Sequence, residues 1–128
     1  MFIESQLVTD PNAIFSGGVD EFVALYCSIE DISHHGGHVS GAFLQCTFKN
    51  IDLYWGMFNL VSFVSCDFER CVFRGTAFPD CRFVECEFKD CLFLKDNLEA
   101  DCSFDGAKWY DCTQTGCRGL ERVEVKQR

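Results

Sequence analysis

From residue 43 onward, apolar side chains return every fifth position. Stepping by five from Phe43 meets Phe48, Leu53, Phe58, Phe63, Phe68, Phe73, Phe78, Phe83, Phe88, Phe93 and Leu98 without a miss. Two residues ahead of each stands a mostly small residue: Gly41, Cys46, Ile51, Gly56, Val61, Cys66, Cys71, Thr76, Cys81, Cys86, Cys91 and Asp96. A period of five fits neither the 3.6 of a helix nor the 2 of a plain strand. It fits a short extended segment followed by a corner. Residues two apart on a strand share a face, so the small residue and the aromatic both point inward, the residue between them points out, and the last two turn the chain. Repetition predicts a solenoid whose coils stack at about 4.8 Å, ring over ring.

The outward positions give the number of sides. At an offset of twenty, Leu44, Val64 and Val84 form an apolar column, and Asp67, Glu69 and Arg70 stand over Glu87, Lys89 and Asp90; at fifteen, Leu44 would stand over Asn59, Arg74 and Lys89. Four sides are predicted. After Leu98 one residue is inserted, and the beat resumes with Cys102/Phe104 and Ala107/Trp109 before fading through Cys112 and Cys117. Over residues 41–117 the chain resembles the pentapeptide-repeat proteins, built from small-x-[Leu/Phe]-x-x units, with Cys in place of the commoner Ala and Phe in place of Leu. The resemblance implies an all-β, right-handed quadrilateral β-helix of about four coils. It says little about function.

A solenoid needs covered ends, since bare terminal coils expose apolar cross-section and unpaired backbone. Residues 1–40 are read as an N-terminal capping segment, in which Val23, Leu25, Cys27 and Ile29 alternate onto one face of a half-buried strand, between turns at Gly17-Gly18 and Gly36-Gly37. Residues 118–128 are read as a short closing strand carrying Leu120, Val123 and Val125. Asp96 falls in the inward column, where an unpartnered carboxylate is costly. It is expected to bond backbone N–H groups or to turn outward at an irregular corner.

Composition sharpens this picture. The 128 residues include 14 Phe and 10 Cys, and the net charge of −9 is uneven: residues 1–40 hold six acids and no Lys or Arg, while the last eleven sum to +2. Such a balance argues against direct binding of nucleic acid or anionic membrane and favours a protein partner with a basic surface. The start, MFIESQLVTDPNAIF, has neither the basic nor the apolar stretch of a signal peptide, and no apolar run reaches the roughly 18 residues of a membrane span. A cytoplasmic location is expected. Nine of the ten cysteines keep the five-residue beat, so they are expected as free thiols packing as small hydrophobes; no C-x-x-C pair is present, and C-x4-C-x4-C is no zinc or iron–sulfur signature.

Two clusters remain. HHGGH places His34, His35 and His38 at a glycine turn; three imidazoles could hold a metal, but without a carboxylate pair or nucleophile beside them the reading is a turn, with no metal, cofactor or catalytic residue assigned. DLYWGMFNL, residues 52–60, keeps the beat at Leu53 and Phe58 and so turns Tyr54, Trp55, Met57 and Leu60 outward, near one corner, with Val72, Leu92 and Leu94 continuing an apolar track beside them. Exposed aromatic and Met clusters mark partner sites. Tyr54, Trp55, Met57, Leu60, Leu92 and Leu94 are therefore the candidate partner-binding residues, unless the N-terminal segment folds over them. The expected function is non-catalytic protein binding, led by a small acidic immunity protein that masks a cognate bacterial toxin. The resemblance implies a rival, a DNA mimic that protects or inhibits a type II topoisomerase such as gyrase. A scaffold subunit of a larger assembly is a third alternative.

Overall fold

A computed structural model of the protein describes residues 1–15 and 21–128. Its strands pair in parallel throughout and stack as a four-sided solenoid. The first face carries β1 (Phe2–Glu4), β3 (Phe22–Leu25), β6 (Gly41–Leu44), β9 (Ser62–Val64), β12 (Arg82–Val84) and β15 (Lys108–Tyr110), hydrogen-bonded in that order. The second carries β2 (Leu7–Val8), the first halves of β4 (Ser28–His35) and β7 (Thr47–Tyr54), then β10 (Asp67–Glu69), β13 (Glu87–Lys89), β16 (Cys112–Thr115) and β17 (Val125–Gln127). The second halves of β4 and β7 continue round a corner onto the third face, above β11 (Val72–Arg74) and β14 (Leu92–Leu94). On the fourth, β5 (His38–Val39) and β8 (Met57–Phe58) are followed by single bridges through Ala77 and Ser103.

The five-residue beat is explained by the corners. Two residues after each inward Phe or Leu the backbone turns left-handed, with φ of 52° at Gln45, 56° at Asn50, 63° at Trp55, 56° at Leu60 and 53° at Ser65, and close to these at Arg70, Asp80, Glu85 and Asp90. Each turn ends one face and starts the next. Inside, the rings form columns: Phe43, Phe63, Phe83 and Trp109 stack at 5.5, 5.0 and 4.1 Å, and Phe48, Phe68 and Phe88 at 4.7 Å per step. Rings of successive faces meet edge-on, as Phe58 does against Phe63 at 5.6 Å, the arrangement that the ring quadrupole prefers.

Cysteine has a reason to fill the small column. Eight thiols are buried and all ten are free. Most donate to a backbone carbonyl of the preceding coil, as Cys66 to Phe43 O (3.2 Å), Cys71 to Phe48 O (3.3 Å), Cys81 to Phe58 O (2.9 Å) and Cys91 to Phe68 O (3.3 Å). Thr76 does the same with its hydroxyl toward Leu53 O. Alanine would fill the space but leave that second lone pair unused. Burial pushes the Cys81 thiol up to about 12 and raises Cys46 and Cys102 as well, so these thiols are protonated packing groups rather than nucleophiles.

Three expectations need correction. Residues 1–40 do not form a separate cap: residues 21–40 make a complete coil in register with the next, Ile29 opposite Phe48 and Val39 opposite Phe58, and β1 and β2 begin another above it. The four complete coils therefore run through residues 21–40, 41–60, 61–80 and 81–106 rather than filling 41–117. The alternation read through Val23, Leu25, Cys27 and Ile29 is broken at Tyr26, whose φ of 57° makes it a corner; Ala24, Cys27 and Ile29 point inward, while Val23 and Leu25 stand half-buried on the outer surface. Finally, Leu98 is not an inward residue. It is 76% exposed, and the coil partners shift from twenty residues apart (Phe73 with Phe93) to twenty-six (Ala77 with Ser103), so the insertion is six residues long and Leu98 met the beat by coincidence. The turn expected at Gly17-Gly18 lies outside the described residues. At the far end β17 pairs in parallel with β16, Val125 opposite Cys112, and Leu120 is buried beneath the last coil.

Candidate partner-binding site

Trp55 occupies the corner between the third and fourth faces and is 47% exposed. Its position is fixed from three directions. The indole Nε1–H donates to Asp96 Oδ2 at 2.7 Å, the ring meets Tyr54 edge-on at 4.6 Å, and the left-handed backbone aims the side chain away from the core. Tyr54 is fixed too: its ring stacks on His35 at 5.3 Å and its hydroxyl accepts the Asn97 N–H at 2.6 Å.

The six-residue insertion supplies this bracing. Asp96 Oδ1 accepts the N–H groups of Leu98 (2.8 Å) and Ala100 (2.9 Å), closing the inserted turn, while Oδ2 is left for Trp55. The Ala100 N–H and the Trp55 indole, the two largest influences, hold its carboxyl below the usual carboxylate range. Asp96 is therefore bonded to backbone N–H groups and lies clear of the inward column. It reaches Trp55 across Gly75, where φ is +55° and a Cβ would come within 2.8 Å of Asp96 Cβ and Oδ2. Two irregularities that stand some forty residues apart in the chain, the aromatic run and the broken repeat, are one site in space.

The other candidates are only partly gathered there. Leu94 lies in the column of Tyr54 but with Arg74 between them, and Leu92 pairs with Val72 in the neighbouring column below Asp52. Both leucines are half-buried. Met57 is exposed on the fourth face, between His38 and Ala77. Leu60, 62% exposed, sits at the following corner, one side away from Trp55, because five residues of solenoid carry the chain across a whole face. The expectation that all four outward residues of 52–60 meet at one corner is corrected accordingly. Sequence reasoning missed Asp96 and Asn97 as part of this site; a carboxylate in the inward column was the signal.

The histidines diverge. His34 turns inward and stacks on Phe15 at 5.7 Å, His35 faces outward on Tyr54, and His38 is on the next face. A shallow groove beside Tyr54 is lined by His35, Asp52, Arg74, Lys95, Asp96 and Asn97, and a cavity of about 420 Å³ opens at the N-terminal end among Met1, Ile3, Val8, Ile14, Phe22 and Val39. Ser33 and His35 share the groove and His38 and Ser40 the cavity, and among the described residues no hydrogen bond joins the serine to the histidine in either. Among the described residues no helix is long and apolar enough to cross a membrane. The second face is charged: in one column the signs alternate, with Glu69 between Lys49 and Lys89, while in the other Asp67 stands directly against Glu87. Burial, then Glu87 and Glu69, raise Asp67 above its ordinary value.

Acid should release the brace. Because the folded state lowers the Asp96 pKa, its contribution is present above the unfolded value and is lost as pH falls through the lower, folded one. Tryptophan emission is expected to show a Trp55 transition below the usual carboxylate range. Asp96→Asn, whose amide oxygen can still take the Leu98 and Ala100 N–H groups but whose NH2 cannot accept from the indole, should lack that transition.

Compared with models of known protein families, the chain matches none. No curated protein matches it either.

Proposed function

We propose that this protein is a non-catalytic, protein-binding member of the pentapeptide-repeat family that captures and neutralises a partner with a basic surface, in the manner of an immunity protein toward its toxin. The observation that carries this reading is the braced Trp55: half exposed, yet held by Asp96 and Tyr54. A half-exposed indole can bond water instead, so a dedicated carboxylate adds little to folding. A preorganised aromatic anchor does gain affinity, since the ordering entropy of the side chain is spent before the partner arrives. Net charge −9 supplies long-range attraction for a basic partner. DNA mimicry asks for a continuous column of negative charge, and the Lys49–Glu69–Lys89 ladder interrupts one.

The test uses the full chain as bait, identifies the retained protein, and measures affinity with both components purified. Trp55→Ala with Tyr54→Ala should weaken capture by about thirtyfold or more, as loss of a binding hot spot does, with the β spectrum unchanged. Equal affinity of the double variant would discard the site. A clear effect of the wild-type protein on gyrase supercoiling would favour the topoisomerase reading instead.

A further inference from the structure

The first face is unlike the rest of the surface. Its six strands present two outward columns: Phe2, Val23, Ala42, Ser62, Arg82 and Lys108 in one, and Glu4, Leu25, Leu44, Val64, Val84 and Tyr110 in the other. Eight of these twelve are apolar or aromatic, none is fully buried, and Phe2 is 60% exposed. On a chain of net charge −9, these twelve positions hold one acid and two bases. The acid, Glu4, is at one end of the face and the bases, Arg82 and Lys108, are toward the other.

We propose that this face binds a second copy of the chain, face to face, with the two solenoid axes antiparallel. A two-fold axis along the strand direction sets each column against its own reverse: Leu44 against Val64, Leu25 against Val84, Ala42 against Ser62, and Val23 against Arg82. The apolar column is thus self-complementary, and the small pair Ala42 and Ser62 at the centre allows the sheets to close to about 10 Å. The same operation lays Glu4 over the strand bearing Lys108 and Tyr110. The parallel alternative sets Arg82 and Lys108 beside their own copies, so like charge selects against it. Five strand spacings by one five-residue side of the coil make roughly 400 Å² per copy, about 800 Å² in all, below the roughly 1,000 Å² of a stable specific interface and in the range of weak, transient contacts. The dimer is therefore weak and reversible. This contact is separate from the Trp55 corner and does not depend on it.

Sedimentation of the full chain from micromolar to submillimolar concentration tests the proposal. A concentration-dependent dimer is expected. Leu44→Glu with Val64→Glu, which sets four carboxylates about the two-fold axis, should abolish it, and Ser62→Arg, on the outer surface, gives the same reading should the double variant fold poorly. Glu4→Lys should weaken the dimer about tenfold or more, and adding Lys108→Glu should restore it. Trp55→Ala should leave it unchanged. A chain that stays monomeric, a dimer indifferent to Leu44, Val64 and Ser62, or a charge swap that restores nothing would overturn the proposal.

Discussion

Replacing Phe63 by Ala is expected to lower the unfolding free energy by about 3–5 kcal/mol, the range for a large aromatic removed from a core that cannot collapse. Phe63 is fully buried at the middle of the longest ring column, 5.5 Å from Phe43 above and 5.0 Å from Phe83 below. Its edges also meet Phe48, Phe58 and Phe68. The surrounding rings cannot close the gap, because each is fixed to a coil whose height is set by strand spacing. The position matters as much as the residue. In a solenoid each coil is stabilised by its two neighbours, so a defect in the middle weakens two interfaces and a defect at an end weakens one. Phe104, half-buried in the last turns of the column through Phe58 and Phe78, should cost distinctly less when truncated. Urea unfolding followed by circular dichroism measures both. A loss below about 1 kcal/mol at Phe63 would mean that ring stacking does not hold these coils together.

The same physics explains what the sequence reveals and what it hides. Residues 43–93 are legible because Phe fills every fifth position but Leu53, with a mostly small residue two places ahead, and the period survives uninterrupted. The coil over residues 21–40 has the same backbone, yet Ala24, Ile29, Ile32 and Val39 fill its inward positions, so no single-letter beat announces it. Apolar residues of several shapes fill such an interior, and strand pairing then supplies the register that the letters do not. Corners are hidden for a similar reason: Tyr26 and Trp55 adopt left-handed φ although their side chains give no local preference for it, because the closed coil imposes it at some 1–2 kcal/mol each. Leu98 misled by meeting the five-residue grid while standing on an inserted turn. The Trp55 corner was legible as exposed aromatic surface, but its brace was not, since Asp96 arrives from two coils away through the gap at Gly75. The apolar first face was visible only at Leu44, Val64 and Val84; its extension to Leu25 and Tyr110 depends on the nineteen- and twenty-six-residue registers that flank the regular coils.

Gly41→Ala should be the most damaging change available in methyl-sized steps. The coil that ends at Ser40 steps nineteen residues to its partner, Ala24 opposite Phe43, where the next steps twenty, Phe43 opposite Phe63, and the chain enters β6 at Gly41 with φ of +127°. A Cβ there would lie 1.9 Å from the carbonyl oxygen of Phe22 and 2.7 Å from its carbon and nitrogen. Those are backbone atoms of the adjacent strand, so no rotamer change can make room; either the coil pairing opens or the strand shifts. The strained φ alone costs an L-residue of order 1–3 kcal/mol, and displaced pairing adds to it, so a loss of at least about 2 kcal/mol is expected. Gly56→Ala provides the matched comparison. Gly56 holds an inward small position that cysteine holds in other coils, its φ is not positive, and its nearest neighbour, Gly36 O, would be 3.3 Å from the new Cβ. There the reduced freedom of the unfolded chain, worth about 0.4–1 kcal/mol, offsets the tight contact, and little net change is expected. If unfolding midpoints of the two variants were equal, a generic glycine effect would account for both, and the short coil could not depend on the close passage of Gly41 over Phe22.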